Sequence, residues 1–279
     1  MMKNKLLLAP IVLFAVLFVI LPLIYVIGMS FMQKDNLWGV KYIFTLENYR
    51  QIFTPVYLKT FLTSFAMAGM TTLYTIIIGY PFGYIMAKQS PKKRSVLMLM
   101  LVVPFWTNSL VRIYGWIILL KGGGVLSRAL QSLHIMSSPL SILYTPYAVV
   151  IGMVYALLPF MILAVYSSCL KLDSTLTDAS RDLGAGRIRS FFDITLRLTA
   201  PGLFSGITLV FVPSIGLFFI SDLLGGGKIM LLGNVIENQL TTSRNMPFGA
   251  ALSVIMIIMT FIALWACRRL SGNDSPEVF

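Results

Sequence analysis

Few residues in this chain have the types and spacing that reaction chemistry demands. There is a single histidine, His134, so no His-based metal cluster is available, and no Ser-His-Asp set converges at a plausible depth. Gly225-Gly226-Gly227-Lys228 resembles a phosphate loop. However, Ile229 stands where Ser or Thr must hold magnesium, and Asp222 stands where the first glycine belongs. The phosphate cradle is therefore missing, and any ATP that drives this protein is expected on another polypeptide, with no cofactor held by this chain. What remains is a pair of charges in apolar surroundings, Arg112 and Asp222. Charge inside a bilayer is expensive, so such residues mark either an ion pair or a route for a charged solute.

The elements that must position these residues follow from composition. The chain has 279 residues, 57% hydrophobic and 11% charged, against about 25% charged in an ordinary soluble domain. That excludes a soluble globular protein and a disordered chain, and two cysteines, Cys169 and Cys267, are too few for a disulfide scaffold. Windows without Asp, Glu, Lys or Arg cover 6–33, 60–87, 95–111, 129–170, 198–221 and 245–267. A spanning helix needs about 20 apolar residues. The third window continues past Arg112 to Leu120. The fourth opens on a polar stretch (Gln131, Ser132, His134, Ser137, Ser138, Pro139), which places its span at 143–168. The expectation is an all-α membrane protein with six spans. Residues 1–34 form an uncleaved anchor, 35–59 an outer segment, 60–270 a five-helix core and 271–279 a tail. Gly79-x-x-x-Gly83 and Gly202-x-x-x-Gly206 lie within spans, where they permit close helix packing.

The net charge of +12 does not indicate nucleic acid, because the basic residues sit between apolar runs and form no stripe. It sets orientation instead. The side that receives both termini carries Lys3, Lys5, Lys88, Lys92, Lys93, Arg94, Lys171, Arg181, Arg187, Arg189, Arg197, Arg268 and Arg269. The opposite side receives Lys34, Lys41, Arg50, Lys59, Lys121, Arg128, Lys228 and Arg244. Both termini are therefore expected in the cytoplasm. Cys169 and Cys267 fall at cytoplasmic helix ends, where thiols stay reduced.

Residues 171–197 form the longest polar segment on that side. Asp173 or Ser174 is a good helix N-cap. Leu176, Ala179 and Leu183 give an apolar stripe at helical spacing, Gly184 and Gly186 a stop and turn, and Arg187 to about Leu196 a second helix running into span five. A plain connector between spans needs neither an apolar face nor a glycine elbow.

This loop resembles the docking loop of ABC-importer permeases, Glu-Ala-Ala-x-x-x-Gly followed at fixed spacing by Ile-x-Leu-Pro. Here Asp178-Ala179-Ser180, Gly184 and Ile194-x-Leu196 keep the spacing, while Asp178, Ser180 and Arg197 replace Glu, Ala and Pro. The resemblance makes Asp178 a charge contact or helix-fixing residue, Ala179 the close-packing face and Gly184 the elbow, seated in a groove of an ATPase subunit. Over nearly the whole chain the sequence is similar to the PotB-like permease subunits of spermidine/putrescine importers. The stretches that carry this are Phe44–Tyr49, Val103–Gly115, Ser221–Gly226 and Pro247–Ala251. The resemblance implies a type I ABC-importer permease in a bacterial inner membrane. Its expected partners are a sister permease, an ATPase dimer that binds ATP, and a periplasmic polyamine-binding protein.

A polyamine needs hydrogen-bond acceptors, aromatic faces and carboxylates. Trp106, Asn108, Ser109 and Tyr114 in span three and Asp222 near the outer end of span five supply them. Arg112 lies roughly 25 Å above the cytoplasmic start of its span, at about 1.5 Å per residue, a depth similar to that of Asp222. An Arg112–Asp222 ion pair is thus the competing assignment for both residues. Two rival readings stay open: a stand-alone secondary transporter or channel, and an ABC permease for another small solute.

Overall fold

Apolar runs become helices here because a bilayer offers no partner for backbone N–H and C=O groups. The computed structural model describes residues 10–35, 39–135 and 141–270. Its helices are α1 (Pro10–Ser30, with a π-turn at Val16–Ile20), α2 (Glu47–Ile52), α3 (Pro55–Ala87), α4 (Pro91–Val102), α5 (Ser109–Leu120), α6 (Val125–Ser132), α7 (Pro146–Cys169), α8 (Ser174–Asp182), α9 (Arg187–Ser190), α10 (Leu196–Gly216), α11 (Phe218–Gly225), α12 (Leu232–Thr241) and α13 (Met246–Leu270). A short antiparallel pair, β1 (Gln33–Lys34) and β2 (Val40–Lys41), follows α1. Among the described residues six segments are long and apolar enough to cross a membrane: Pro10–Ser30, Pro55–Ala87, Ser109–Ser132, Pro146–Cys169, Arg187–Gly216 and Met246–Arg269. Lys3, Lys5, Ser137, Ser138, Pro139 and the expected tail 271–279 lie outside the described residues.

Two expected spans are not continuous helices. The third breaks after α4 into a 3-10 turn, Val103–Trp106, and restarts at Ser109. Pro104 has no N–H to donate to the preceding turn, and Asn108 provides a new N-cap. The fifth breaks at Leu217, whose ψ of 61° leaves the helical range four residues after Pro213.

The chain forms two compact units. One joins the residues up to Leu62 with Leu232–Phe261. In it, the stretch Phe44–Tyr49 clasps the end of α1. The Asn48 amide donates to the carbonyls of Ser30 (2.9 Å) and Met32 (2.8 Å), and the Ser30 and Tyr49 hydroxyls lie 2.7 Å apart. The bond to Ser30 answers one of the orphan carbonyls of the α1 C-terminus. Phe248 is fully buried, with the Tyr57 ring edge-on at 5.0 Å.

The other unit comprises Thr63–Leu231 and the residues from Ile262 onward. Its axis is α7, which packs on both α3 and α10 through the two glycine pairs. A Cβ at Gly83 would lie 2.9 Å from the Ile162 carbonyl oxygen, and one at Gly206 2.6 Å from the Met161 sulfur. The pairs are thus the small surfaces that let α3 and α10 approach α7. One apolar cluster, including Ile113, Met153, Ile220 and Leu224, joins α5, α7 and α11. Another, including Tyr80, Met161, Val165 and Val210, joins α3, α7 and α10.

Candidate functional site

The loop after α7 folds as its residue types dictate. The Asp173 carboxylate accepts from the Thr175 N–H at 2.9 Å and caps α8. That hydrogen bond holds its carboxyl below the usual carboxylate range. At the far end, Leu183 N–H reaches Ala179 O (3.1 Å) and Gly184 N–H reaches Arg181 O (2.9 Å). Gly184 then turns the chain at φ +86°, a conformation that costs a side-chain-bearing residue. Helix α9 and a π-turn, Phe191–Thr195, lead directly into α10. Leu176, Leu183 and Ile188 are 48%, 89% and 77% exposed, and Ala179 is exposed as well. The apolar stripe that the sequence places on α8 is therefore not used for packing within the chain. Asp178 pairs with Arg181 at 3.8 Å, one turn along the same exposed face. So exposed a pair contributes little stability.

This loop is anchored from behind by residues that sequence reasoning passed over. Phe191 in the π-turn meets Tyr80 and Tyr84 of α3 edge-on, at 5.9 and 5.7 Å. The Tyr80 and Thr199 hydroxyls lie 2.8 Å apart, and Thr199 also donates to Thr195 O at 2.7 Å. The loop that carries α8 and α9 thus rests on α3 through an aromatic wedge and a buried hydroxyl chain. Helical spacing links Tyr80 with Tyr84, but nothing local in the sequence joins them to Phe191.

The second candidate region is the break in span three. Asn108 caps α5, its side-chain oxygen accepting from Leu110 N–H at 2.8 Å. Trp106 ends the 3-10 turn and is 80% exposed, while Tyr114 stands on the exposed face of α5 beside Leu110 and Ile118. Arg112 points elsewhere. Its guanidinium lies 4.7 Å from the Phe105 ring centroid and 5.8 Å from that of Tyr155. Trp116, one turn on, meets Tyr155 edge-on at 5.5 Å, and Phe105 meets Phe160 of α7 at 5.9 Å. Arg112 therefore sits in an aromatic box, with its Nε buried and without a hydrogen-bond partner among the described residues. Asp222 lies on α11, which packs against α5 and α7, and is exposed. Beside it the Ser221 hydroxyl donates to Ile229 O at 2.6 Å. Gly226 closes α11 at φ +60°, where a Cβ would collide with the Tyr144 ring. Arg112 and Tyr114 were readable from the sequence, but Phe105, Tyr155 and Phe160 were not, because their meeting depends on how the broken helix returns to α7. Among the described residues, no group of three or more His, Cys, Asp or Glu could hold a metal ion.

Residues 79–272 match the model of the binding-protein-dependent transport system inner membrane component family. The chain belongs to that family. It is 46% identical over 258 residues to the spermidine/putrescine transport system permease protein PotB of Escherichia coli (strain K12), covering 91% of this chain and 94% of the relative. Against PotB of Salmonella typhimurium (strain SL1344) the identity is 45% over 266 residues, covering 94% and 93%. The fold is shared with solved importers. A bacterial alginate ABC transporter in complex with a pentasaccharide-bound periplasmic protein aligns over 98% of this chain and 95% of that one, with a TM-score of 0.78 at 13% identity. The MetNI methionine transporter aligns over 77% and 94%, with a TM-score of 0.57. The chain is an all-α, multi-pass inner-membrane permease of the type I ABC-importer fold.

Proposed function

We propose that this chain is a permease subunit that imports spermidine and/or putrescine. The single observation behind this reading is identity of 45–46% to PotB permeases over more than nine-tenths of both chains. Both termini face the cytoplasm, as the basic residues at the helix ends imply. A periplasmic binding protein delivers the polyamine, a sister permease completes the pathway, and an ATPase dimer binds and hydrolyses ATP. Each cation moving inward gains about 2.3 kcal/mol per 100 mV of inside-negative potential. ATP is therefore needed to accumulate beyond that gradient and to gate the path against leaks.

Closure of the ATPase is transmitted through α8. Leu176 and Ala179 pack into the ATPase groove, Asp178 makes the charged contact, and Gly184 sets the angle between α8 and α9. The exposed apolar face of α8 supports this role. Along the pathway, Trp106 and Tyr114 offer exposed aromatic faces to ammonium groups. Asn108 spends one lone pair of its carbonyl oxygen on the α5 cap and keeps the second for a donor. Asp222 supplies the carboxylate. Arg112 stands among the Phe105 and Tyr155 rings, and exchanging its charge with that of Asp222 separates a substrate role for Asp222 from an Arg112–Asp222 ion pair. The test is uptake of radiolabelled spermidine and putrescine into vesicles carrying the partner subunits, with and without this chain and ATP. Uptake that does not depend on this chain would sink the cargo assignment, and failure to recover an ATPase with it would sink the ABC mechanism.

A further inference from the structure

The turn between α3 and α4 has a feature that neither the pathway nor the docking loop uses. Residues 88–94 read Lys-Gln-Ser-Pro-Lys-Lys-Arg, cationic at Lys88, Lys92, Lys93 and Arg94 and without an acid. Arg94 lines a cavity of about 480 Å³, together with Ser95, Met98, Leu99 and Val102 of α4 and Tyr166 of α7. The lining is graded. Its polar end is Arg94 and Ser95, and Met98, Leu99 and Val102 continue it as an apolar wall, the lining from Arg94 to Val102 running about 12 Å along the helix. The Nε of Arg94 is buried and has no hydrogen-bond partner among the described residues. A buried N–H that has left water without an acceptor is destabilising, so the site is poised for one.

We propose that this cavity binds an anionic phospholipid. The headgroup phosphate accepts from the Arg94 guanidinium and the Ser95 hydroxyl, and an acyl chain lies along Met98, Leu99 and Val102. Basic pockets between membrane helices suit lipid phosphates in this way. The apolar wall selects a lipid over free phosphate, which would leave it unfilled. Exposed Lys92 and Lys93 raise the local concentration of anionic lipid. The site sits next to the transmission elements. The Lys88 ammonium rests 4.3 Å from the Tyr84 ring centroid, and Tyr84 meets Phe191 of the π-turn. A lipid bound here stiffens the support of the docking helices and ties transport to membrane composition.

The test uses the full chain assembled with its partner subunits in nanodiscs of phosphatidylcholine with or without phosphatidylglycerol. Retained lipid is read by native mass spectrometry. Wild type is expected to hold phosphatidylglycerol about tenfold more firmly than Arg94→Gln, with Arg94→Lys between them. Leu99→Trp, which fills the apolar wall and leaves the cation, is expected to lower retention similarly, and it stands in if Arg94→Gln fails to assemble. Equal retention by wild type and both variants overturns the proposal. So does displacement of the lipid by excess inorganic phosphate at constant ionic strength, which assigns the site to a free anion. Retention by the isolated chain that disappears on assembly also overturns it, because a subunit then covers the cavity.

Discussion

The guanidinium of Arg112 lies 4.7 Å from the ring centroid of Phe105, across the break that separates α4 from α5. The contact ties the start of α5 to the 3-10 turn, and Tyr155 and Phe160 tie both to α7. A cation held over an aromatic face away from water contributes about 2 kcal/mol. Phe105→Ala is therefore expected to destabilise the purified permease by about that amount or more, and Phe105→Tyr much less. Thermal unfolding in detergent measures both, and equal melting temperatures for wild type and Phe105→Ala would remove the clamp.

Gly184 turns the chain at φ +86°. A side chain there costs about 1 kcal/mol, because Cβ crowds the following carbonyl in left-handed backbone. No neighbour lies within 4 Å of a Cβ at this position, so the penalty is one of backbone conformation and not of packing. Gly184→Ala is expected to leave the permease in the membrane but to reduce ATPase stimulation by the loaded binding protein, with Gly184→Val worse. Unchanged stimulation in Gly184→Val would show that the angle between α8 and α9 is unimportant.

Asp173 gives α8 a pH dependence of known sign. Its folded-state carboxyl titrates below the ordinary value because the ionised form accepts from Thr175 N–H. The cap is fully present above the ordinary carboxylate range and is lost as pH falls through the lowered value. Amide exchange of residues 176–182 is expected to quicken, relative to the intrinsic rate, as pH drops through that window. Asp173→Ala should exchange fast throughout, while Asp173→Asn caps without ionising and should lose the pH dependence. Identical profiles for wild type and Asp173→Asn would contradict the capping account.

Close approach around α7 can be tested one methyl at a time. A Cβ at Gly83 would lie 2.9 Å from the Ile162 carbonyl oxygen, whereas one at Gly69, on the same helix, meets nothing within 4 Å. Gly83→Ala is expected to cost about 1–3 kcal/mol by overpacking. Gly69→Ala should be neutral or slightly stabilising, within about 1 kcal/mol, since Ala favours helix. Equal effects at the two sites would mean that α3 does not rest on α7 through this glycine.

How much of this was legible follows from the range of each interaction. The α8 cap, its apolar stripe and the elbow at Gly184 are local, and Asp173, Leu176 and Gly184 announce them by type and spacing. The glycine pairs at 79/83 and 202/206 announced close packing but not that α7 is the partner of both. The breaks in spans three and five fall near Pro104 and Pro213, a weak signal in the sequence, since Pro81, Pro159 and Pro201 lie inside continuous helices. Asn108 read as a pathway group, and the structure adds that it is also a cap. The aromatic box around Arg112 and the wedge of Phe191 against Tyr80 depend on contacts between residues far apart in sequence, which no local pattern encodes. Asn48 lay in a recognisable stretch, yet its role at the end of α1 emerged only from hydrogen bonds to Ser30 and Met32.

Asp222 carries the sharpest functional prediction. A carboxylate that accepts an ammonium hydrogen bond is worth about 1.5–3 kcal/mol, so its loss lowers uptake by about tenfold or more. Asp222→Asn is expected to reduce polyamine uptake by that factor while assembly with the partner subunits persists. The swap Arg112→Asp with Asp222→Arg is expected not to restore it. Such a swap would also place an acid among Phe105 and Tyr155, where Arg112 now has aromatic faces. The opposite pattern, in which Asp222→Asn loses assembly together with uptake and the swap recovers both, assigns Asp222 to an ion pair with Arg112. Measuring subunit recovery alongside uptake separates the two outcomes, because a substrate group affects only the second.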